Sequence, residues 1–178
     1  NDVGFNSFFK TGWKRFYLKW YETALPSAND LCPETVKLIE SVDSVKAGMF
    51  AMLPSGSRLV KHRDPYAGSL RYHLGLVTSN SSDCFISVDG EEYHWKDGEA
   101  ILFDETFIHF AENQSEVDRI ILFLDVKRPV SSILIDKINQ FFSQTFMAAS
   151  TTENLPGDRV GLLNKLFGQA YKVRLIGK

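Results

Sequence analysis

Residues 84–103 read CFISVDGEEYHWKDGEAILF. Two short strand-like runs, 84–88 and 91–95, are separated by Asp89-Gly90. Asp-Gly tolerates the positive φ of the two-residue turn whose twist matches that of a hairpin. Asp97-Gly98 marks another turn before a third run at 99–103. Turns this closely spaced leave no length for helices and predict an all-β region. Working outward, strands are expected near 47–53, 69–77 and 118–126. Ile120-Ile121-Leu122-Phe123-Leu124 is apolar on both faces, as befits a central strand. Short strands with tight turns, flanked by helices, predict a mainly β fold: a jelly roll or cupin-like double-stranded β-helix. The expected organisation is a single domain over 1–178, with its barrel at about 46–130 and helical flanks at 1–45 and 131–178.

The flanks show helical periodicity. In 5–21, FNSFFKTGWKRFYLKWY, the side chains Phe5, Phe9, Trp13, Phe16 and Trp20 fall on one stripe at helical spacing, with Lys10, Lys14, Arg15 and Lys19 off it. This predicts an amphipathic helix, packed on the core or lying at a membrane surface with its rings at headgroup depth. A loop is expected next, then a short helix near 33–42. After Pro129, Leu134, Ile138, Phe141 and Phe142 share a helical face, with Ser131 or Ser132 as N-cap. A last amphipathic helix is expected over 158–176, carrying Leu163, Leu166, Phe167 and Ala170 on one side and ending basic.

The chain has 178 residues, 44% hydrophobic and 24% charged, with a formal net charge of −2. Near-neutral balance lacks the basic excess of a nucleic-acid footprint. Cys32 and Cys84 are far apart and form no CxxC pair, which suits two reduced thiols. No run approaches the roughly 18 apolar residues of a membrane span.

The chemistry concentrates in residues 61–76, KHRDPYAGSLRYHLGL. His62 and Asp64 form an HxD pair just before a strand. His109 follows several strands later, in DETFIHF. Two imidazoles and a carboxylate can hold Fe(II) on one face of an octahedron and leave three positions open. The competing reading makes His62 and Asp64 surface loop residues and His109 a hydrogen-bonded core histidine. Arg71 and His73, two apart on a strand, point to the same face. A cation projecting into a barrel needs an anion, and a ligand carboxylate or an internal acid would each serve. Arg119 opens the apolar strand after His109. It suits bidentate carboxylate recognition, or else an edge salt bridge. Asp104 and Glu105 stand where they could orient a metal ligand or cap a turn.

The run HRDPYAGSLRYHLGL, followed by DGEAILFDETFIHFAEN and the Arg119 strand, resembles the aspartyl/asparaginyl β-hydroxylase family, and within it most of all the bacterial lipid A 2-hydroxylase branch. The resemblance covers about 46–130 and extends to the aromatic N-terminal stretch. It implies a double-stranded β-helix using Fe(II), 2-oxoglutarate and O2. It makes His62, Asp64 and His109 the catalytic iron ligands, and Arg119, Arg71, His73 and Met52 the residues of the co-substrate pocket. Animal peptide hydroxylases of the family carry Gly where this chain has Asp64, which turns the expectation from a peptide toward a fatty acyl chain. The implied substrate is C2 of a secondary acyl chain of lipid A or a lipopolysaccharide precursor. The implied setting is the bacterial inner membrane, catalytic domain toward the cytoplasm, reached through amphipathic helices or segments beyond this sequence. Two rival readings stand beside it: a peptidyl Asp/Asn hydroxylase of the same chemistry, and a cupin-like or purely structural domain without turnover.

Overall fold

Asp89 and Gly90 both take positive φ, 51° and 92°. That backbone closes the tight turn between β6 (Cys84–Val88) and β7 (Glu91–His94). The computed structural model describes residues 2, 5, 7–21 and 23–172. Among them, ten strands form two antiparallel sheets. The larger sheet runs β2 (Thr23–Ala24), β1 (Lys14–Trp20), β3 (Val45–Leu53), β10 (Arg119–Lys127), β5 (Ser69–Val77), β8 (Ala100–Phe103). The smaller runs β4 (Arg58–His62), β9 (His109–Asn113), β6, β7. Strands distant in sequence are neighbours in both sheets, as a jelly roll requires. Met49, Ala51, Ile121 and Phe123 of the larger sheet share one apolar core with Ile86, Val88 and Ala111 of the smaller. The fold is therefore mainly β and cupin-like, with α1 (Pro26–Leu31), α2 (Pro33–Glu40), α3 (Ile133–Phe142) and α4 (Leu162–Lys172) around it.

β10 is central, as its two-sided apolarity foretold: Phe123 pairs with Met49 on one side and His73 on the other. The N-terminal flank departs from expectation. Instead of a helix over 5–21, only a 3-10 turn forms at Phe8–Thr11, ended by Gly12 at φ 81°. Lys14–Trp20 then enters the larger sheet as β1. A bulge between Tyr17 and Lys19 explains the misreading. It places Tyr17 and Leu18 both inside, so burial loses its period of two. The buried Trp13, Tyr17 and Trp20 then mimic helical spacing. Trp13 and Trp20 pack on Phe5, with ring centroids 5.2 and 6.2 Å away, and Tyr17 packs on Trp20, so these aromatics form core rather than a membrane-facing stripe. The sheet thus begins well before 46. β4 and β9, both short and charged, lacked a sequence signal, and α1 occupies part of the expected loop.

At the C-terminal end, Ser132 caps α3 by accepting from Ile135 N at 3.4 Å. The shared apolar face of α3 nevertheless points outward, with Leu134, Ile138 and Phe141 exposed. α4 starts at Leu162 rather than 158, and 173–176 lie outside the described residues. Between α3 and α4 the chain is fastened to the N-terminal half. Asn154 accepts from Tyr17 N at 2.7 Å and donates to Tyr17 O at 2.8 Å. Asp158 accepts from Ser27 N at 2.9 Å, Ser27 Oγ at 2.6 Å and Asn154 N at 3.0 Å.

Burial raises the Asp158 pKa, but these hydrogen bonds prevail and hold it below the ordinary carboxylate value. A depressed pKa stabilises the fold above the unfolded-state value, and that stabilisation is lost as pH falls through the folded-state value. Asp158→Ala is expected to lose about 1–3 kcal/mol at neutral pH, and in urea denaturation its deficit against the wild type should shrink on acidification toward about pH 3. A deficit that stays constant with pH would contradict this account of the fastening.

Candidate metal centre

β4 ends on His62 and β9 begins on His109, and the two are directly paired across the smaller sheet. Their rings lie 4.2 Å apart between centroids. Each imidazole is oriented by its own strand entry. His62 Nδ1 bonds Val60 O at 2.7 Å and His109 Nδ1 bonds Phe107 O at 2.9 Å. A carbonyl only accepts, so Nδ1 carries the proton in each ring and Nε2 keeps its lone pair. Asp64, just past β4, is held by its backbone N–H donating to Glu105 O at 2.9 Å. Ligand atoms of His62, Asp64 and His109 all lie within 4.8 Å of one another.

The electrostatics suit a cation. Burial raises the Asp64 pKa, yet the Arg71 guanidinium bonded to it holds it below the ordinary value, so it is a carboxylate. Burial lowers that of His109, which keeps its ring neutral. Two oriented imidazole nitrogens and an ionised carboxylate on one side of a cavity fit a divalent transition metal with open positions.

Arg71 and His73 do share the inner face of β5, but they differ in what they meet. Arg71, 7% exposed, donates from Nε to Asp125 Oδ1 at 2.8 Å and from Nη2 to Asp64 Oδ2 at 3.0 Å, and it contacts the Glu105 carboxylate. Its guanidinium also lies 3.9 Å from the Phe123 ring centre. Of the two partners open to it, Arg71 has taken internal acids. It positions Asp64 rather than receiving a ligand carboxylate. Among the described residues His73 has no hydrogen-bond partner on either ring nitrogen. It sits against Phe103 and Phe123, and burial, then Arg119 and Arg71, keep its pKa well below the ordinary imidazole value.

Arg119 is the converse of Arg71. It is 2% exposed and stacks 4.4 Å over Trp95. Among the described residues no carboxylate reaches it, and its Nε lacks a hydrogen-bond partner. Burial pushes its pKa down to about 10. A buried guanidinium that no carboxylate meets among the described residues, in the same cavity as His62, Asp64 and His109, suits an anion. Met52 does not line that cavity. Strand alternation puts its neighbours Ala51 and Leu53 inside and Met52 on the other face of β3, so its expected pocket role is corrected. Asp104 caps the turn at Thr106 and pairs with Arg128, while Glu105 joins the Arg71 cluster. Sequence reasoning passed over Trp95 and Asp125. The signal for Asp125 was present: it is the acid interrupting an otherwise apolar central strand.

The sequence profile of the aspartyl/asparaginyl β-hydroxylases matches residues 2–129. The chain belongs to the aspartyl/asparaginyl β-hydroxylase family. Relatives in this family include an ornithine lipid ester-linked acyl 2-hydroxylase of Rhizobium tropici, 34% identical over 123 residues, which are 68% of this chain and 44% of that protein. Another is the human aspartate β-hydroxylase domain-containing protein 2, 29% identical over 126 residues, 66% of this chain and 34% of that protein. The chain thus spans less than half the length of these relatives. In shape it is similar to the cupin domain of an XRE family transcriptional regulator from Enterobacter cloacae, at 13% identity and TM-score 0.45, covering 66% of this chain and 98% of that one. The relatives include proteins named as an acyl 2-hydroxylase and as an aspartyl/asparaginyl β-hydroxylase.

The two arginines should separate cleanly in equilibrium unfolding. Arg71→Met strands buried carboxylates and is expected to lose about 3–5 kcal/mol. Arg119→Met removes a buried unpaired charge, and its stability should equal or exceed that of the wild type. An equal loss in both would show that Arg119 has a structural partner after all.

Proposed function

We propose that this domain is an Fe(II)- and 2-oxoglutarate-dependent dioxygenase that hydroxylates C2 of a fatty acyl chain on a membrane lipid. The observation that carries the proposal is the pairing, in one cavity, of three oriented metal donors with an unpaired buried arginine. His62, Asp64 and His109 would hold the iron. Arg119, seated on Trp95, would receive the far carboxylate of 2-oxoglutarate, with His73 beside it as a neutral hydrogen-bonding group. Iron, oxo acid and O2 would supply the oxidising power: one oxygen atom of O2 would convert C–H to C–OH, and the other would enter the succinate formed as 2-oxoglutarate loses CO2.

The chain's own work is orientation and exclusion of water. The Nδ1 bonds fix both imidazoles, and Arg71 fixes Asp64. Phe8 packs edge-on to His62 at 4.9 Å, and Phe103 packs on both His73 and His109. These apolar walls suit a reaction at an unactivated C–H.

Lipid A is the substrate class the sequence resemblance implies, and the Rhizobium relative named for an ornithine lipid acyl chain supports an acyl target more broadly. Such a substrate places the domain at a bilayer, in this reading the cytoplasmic face of a bacterial inner membrane. Among the described residues no helix is long and apolar enough to cross one.

Succinate release by the iron-loaded protein is the direct test. Acyl lipids (lipid A species or ornithine lipid) should stimulate it, and aspartyl peptides should not. His62→Ala, Asp64→Ala and His109→Ala should each abolish turnover while keeping near-UV circular dichroism. Stimulation by peptides alone would replace the substrate. Full activity with metal retained in His62→Ala would remove the metal assignment.

A further inference from the structure

A second hollow, of about 340 Å³, meets the metal-site cavity at Phe5, Asp64 and Arg71, which line both. Its apolar wall is built from Tyr66, in the connection between β4 and β5, and from the C-terminal segment: Phe142 at the end of α3, Phe146 in the π-helical turn Ser143–Met147, and Leu163 at the start of α4. The aromatic rings form a continuous stack. Tyr66 lies 5.2 Å from Phe142 at an interplanar angle of 15°, and Phe142 lies 4.9 Å from Phe146 at 28°.

The floor of the hollow is polar but internally satisfied. Arg71 is bonded to Asp125 and Asp64, Tyr21 donates to Asp125 at 2.9 Å, and Ser69 donates to Glu105 at 2.7 Å. The walls and the route in are apolar: Phe146 is 51% exposed at the rim, and the outward face of α3 continues from it through Phe141, Ile138 and Leu134, the last 69% exposed. Lys127 ties down α3 from its polar side through Asp136 at 2.7 Å, which leaves the apolar face free. The volume falls within the range of small-molecule sites.

Resting on the acyl-hydroxylase reading of the metal site, we infer that this hollow is the acyl-chain subsite. The chain lies against Tyr66, Phe142, Phe146 and Leu163 with its methyl end toward the exposed face of α3, and its carbonyl-proximal carbons lie at the shared boundary at Asp64, where the two hollows meet. Tyr66 is the residue that sets the width. A Cβ on Gly68 would run into the Tyr66 hydroxyl and ring, so the bare glycine is what lets this ring lie flat beside the groove.

The test needs neither metal nor turnover. Trp20 lines the hollow, so a chain bound there and carrying bromine at mid-chain quenches its fluorescence. The probe is brominated hexadecanoyl lysophosphatidylcholine below its micelle concentration, with a six-carbon analogue as control, added to metal-free protein. The long probe should quench saturably, the short one should not, and Trp20→Phe should remove the quenched component. Phe146→Glu, at a half-exposed position that leaves the fold alone, should weaken binding by about tenfold or more without changing Mn(II) affinity. No quenching, or equal quenching in Phe146→Glu, overturns the inference. So does a sedimenting dimer that Phe146→Glu dissociates, since a second copy of the chain then covers this face. Chain binding lost in Phe146→Glu, in a protein that shows no 2-oxoglutarate turnover, would leave the groove standing and remove the hydroxylase reading. Lipid-stimulated turnover indifferent to Phe146→Glu would do the reverse.

Discussion

The architecture of the site depends on one buried cation. Arg71, on β5, is held among Asp125 of β10, Glu105 after β8 and Asp64 after β4. Three of those elements belong to or follow the larger sheet, and the fourth follows the smaller one. The cluster therefore fixes the loop that carries Asp64 relative to both strands of the larger sheet. Burial, then Asp125 and Asp64, raise the Glu105 pKa to about 8 against the opposing pull of Arg71. Removal of a buried charge partner is far more damaging than the net worth of the pair, which is why this cluster governs the rest.

Arg119 shows the same residue type put to the opposite use. Its charge is buried without an acid, supported by the face of Trp95. Among the described residues no acid meets this charge, which favours an anion beside it. His73 beside it is neutral, and among the described residues nothing hydrogen-bonds its ring.

Much of this was legible in the sequence wherever local chemistry and tertiary structure agree. Asp89-Gly90 forced a hairpin, β5 and β6 kept their expected bounds, and Ser132 capped α3. The HxD pair with a later histidine came together as its residue types suggested. What failed did so for identifiable reasons. A bulge at Tyr17 and Lys19 disguised β1 as a helix. β4 and β9 are brief strands set by their pairing with each other and, for β9, with β6, which no local pattern encodes. Spacing showed that Arg71 and His73 share a face. It could not show that Asp125 and Glu105, distant in the chain, would claim Arg71 and leave Arg119 free. Met52 fell to the pleat of β3, which turns alternate residues away from the cavity.

The central claim is that His62, Asp64 and His109 hold a metal whose open positions and neighbouring Arg119 accept an oxo acid. Anaerobic titration of the Fe(II)-loaded protein with 2-oxoglutarate, followed by visible absorption, tests it most directly. The account predicts a saturable charge-transfer band, absent in Asp64→Ala and requiring much higher 2-oxoglutarate in Arg119→Met, which still binds iron. A folded, iron-loaded protein that shows no band at any 2-oxoglutarate concentration would contradict it.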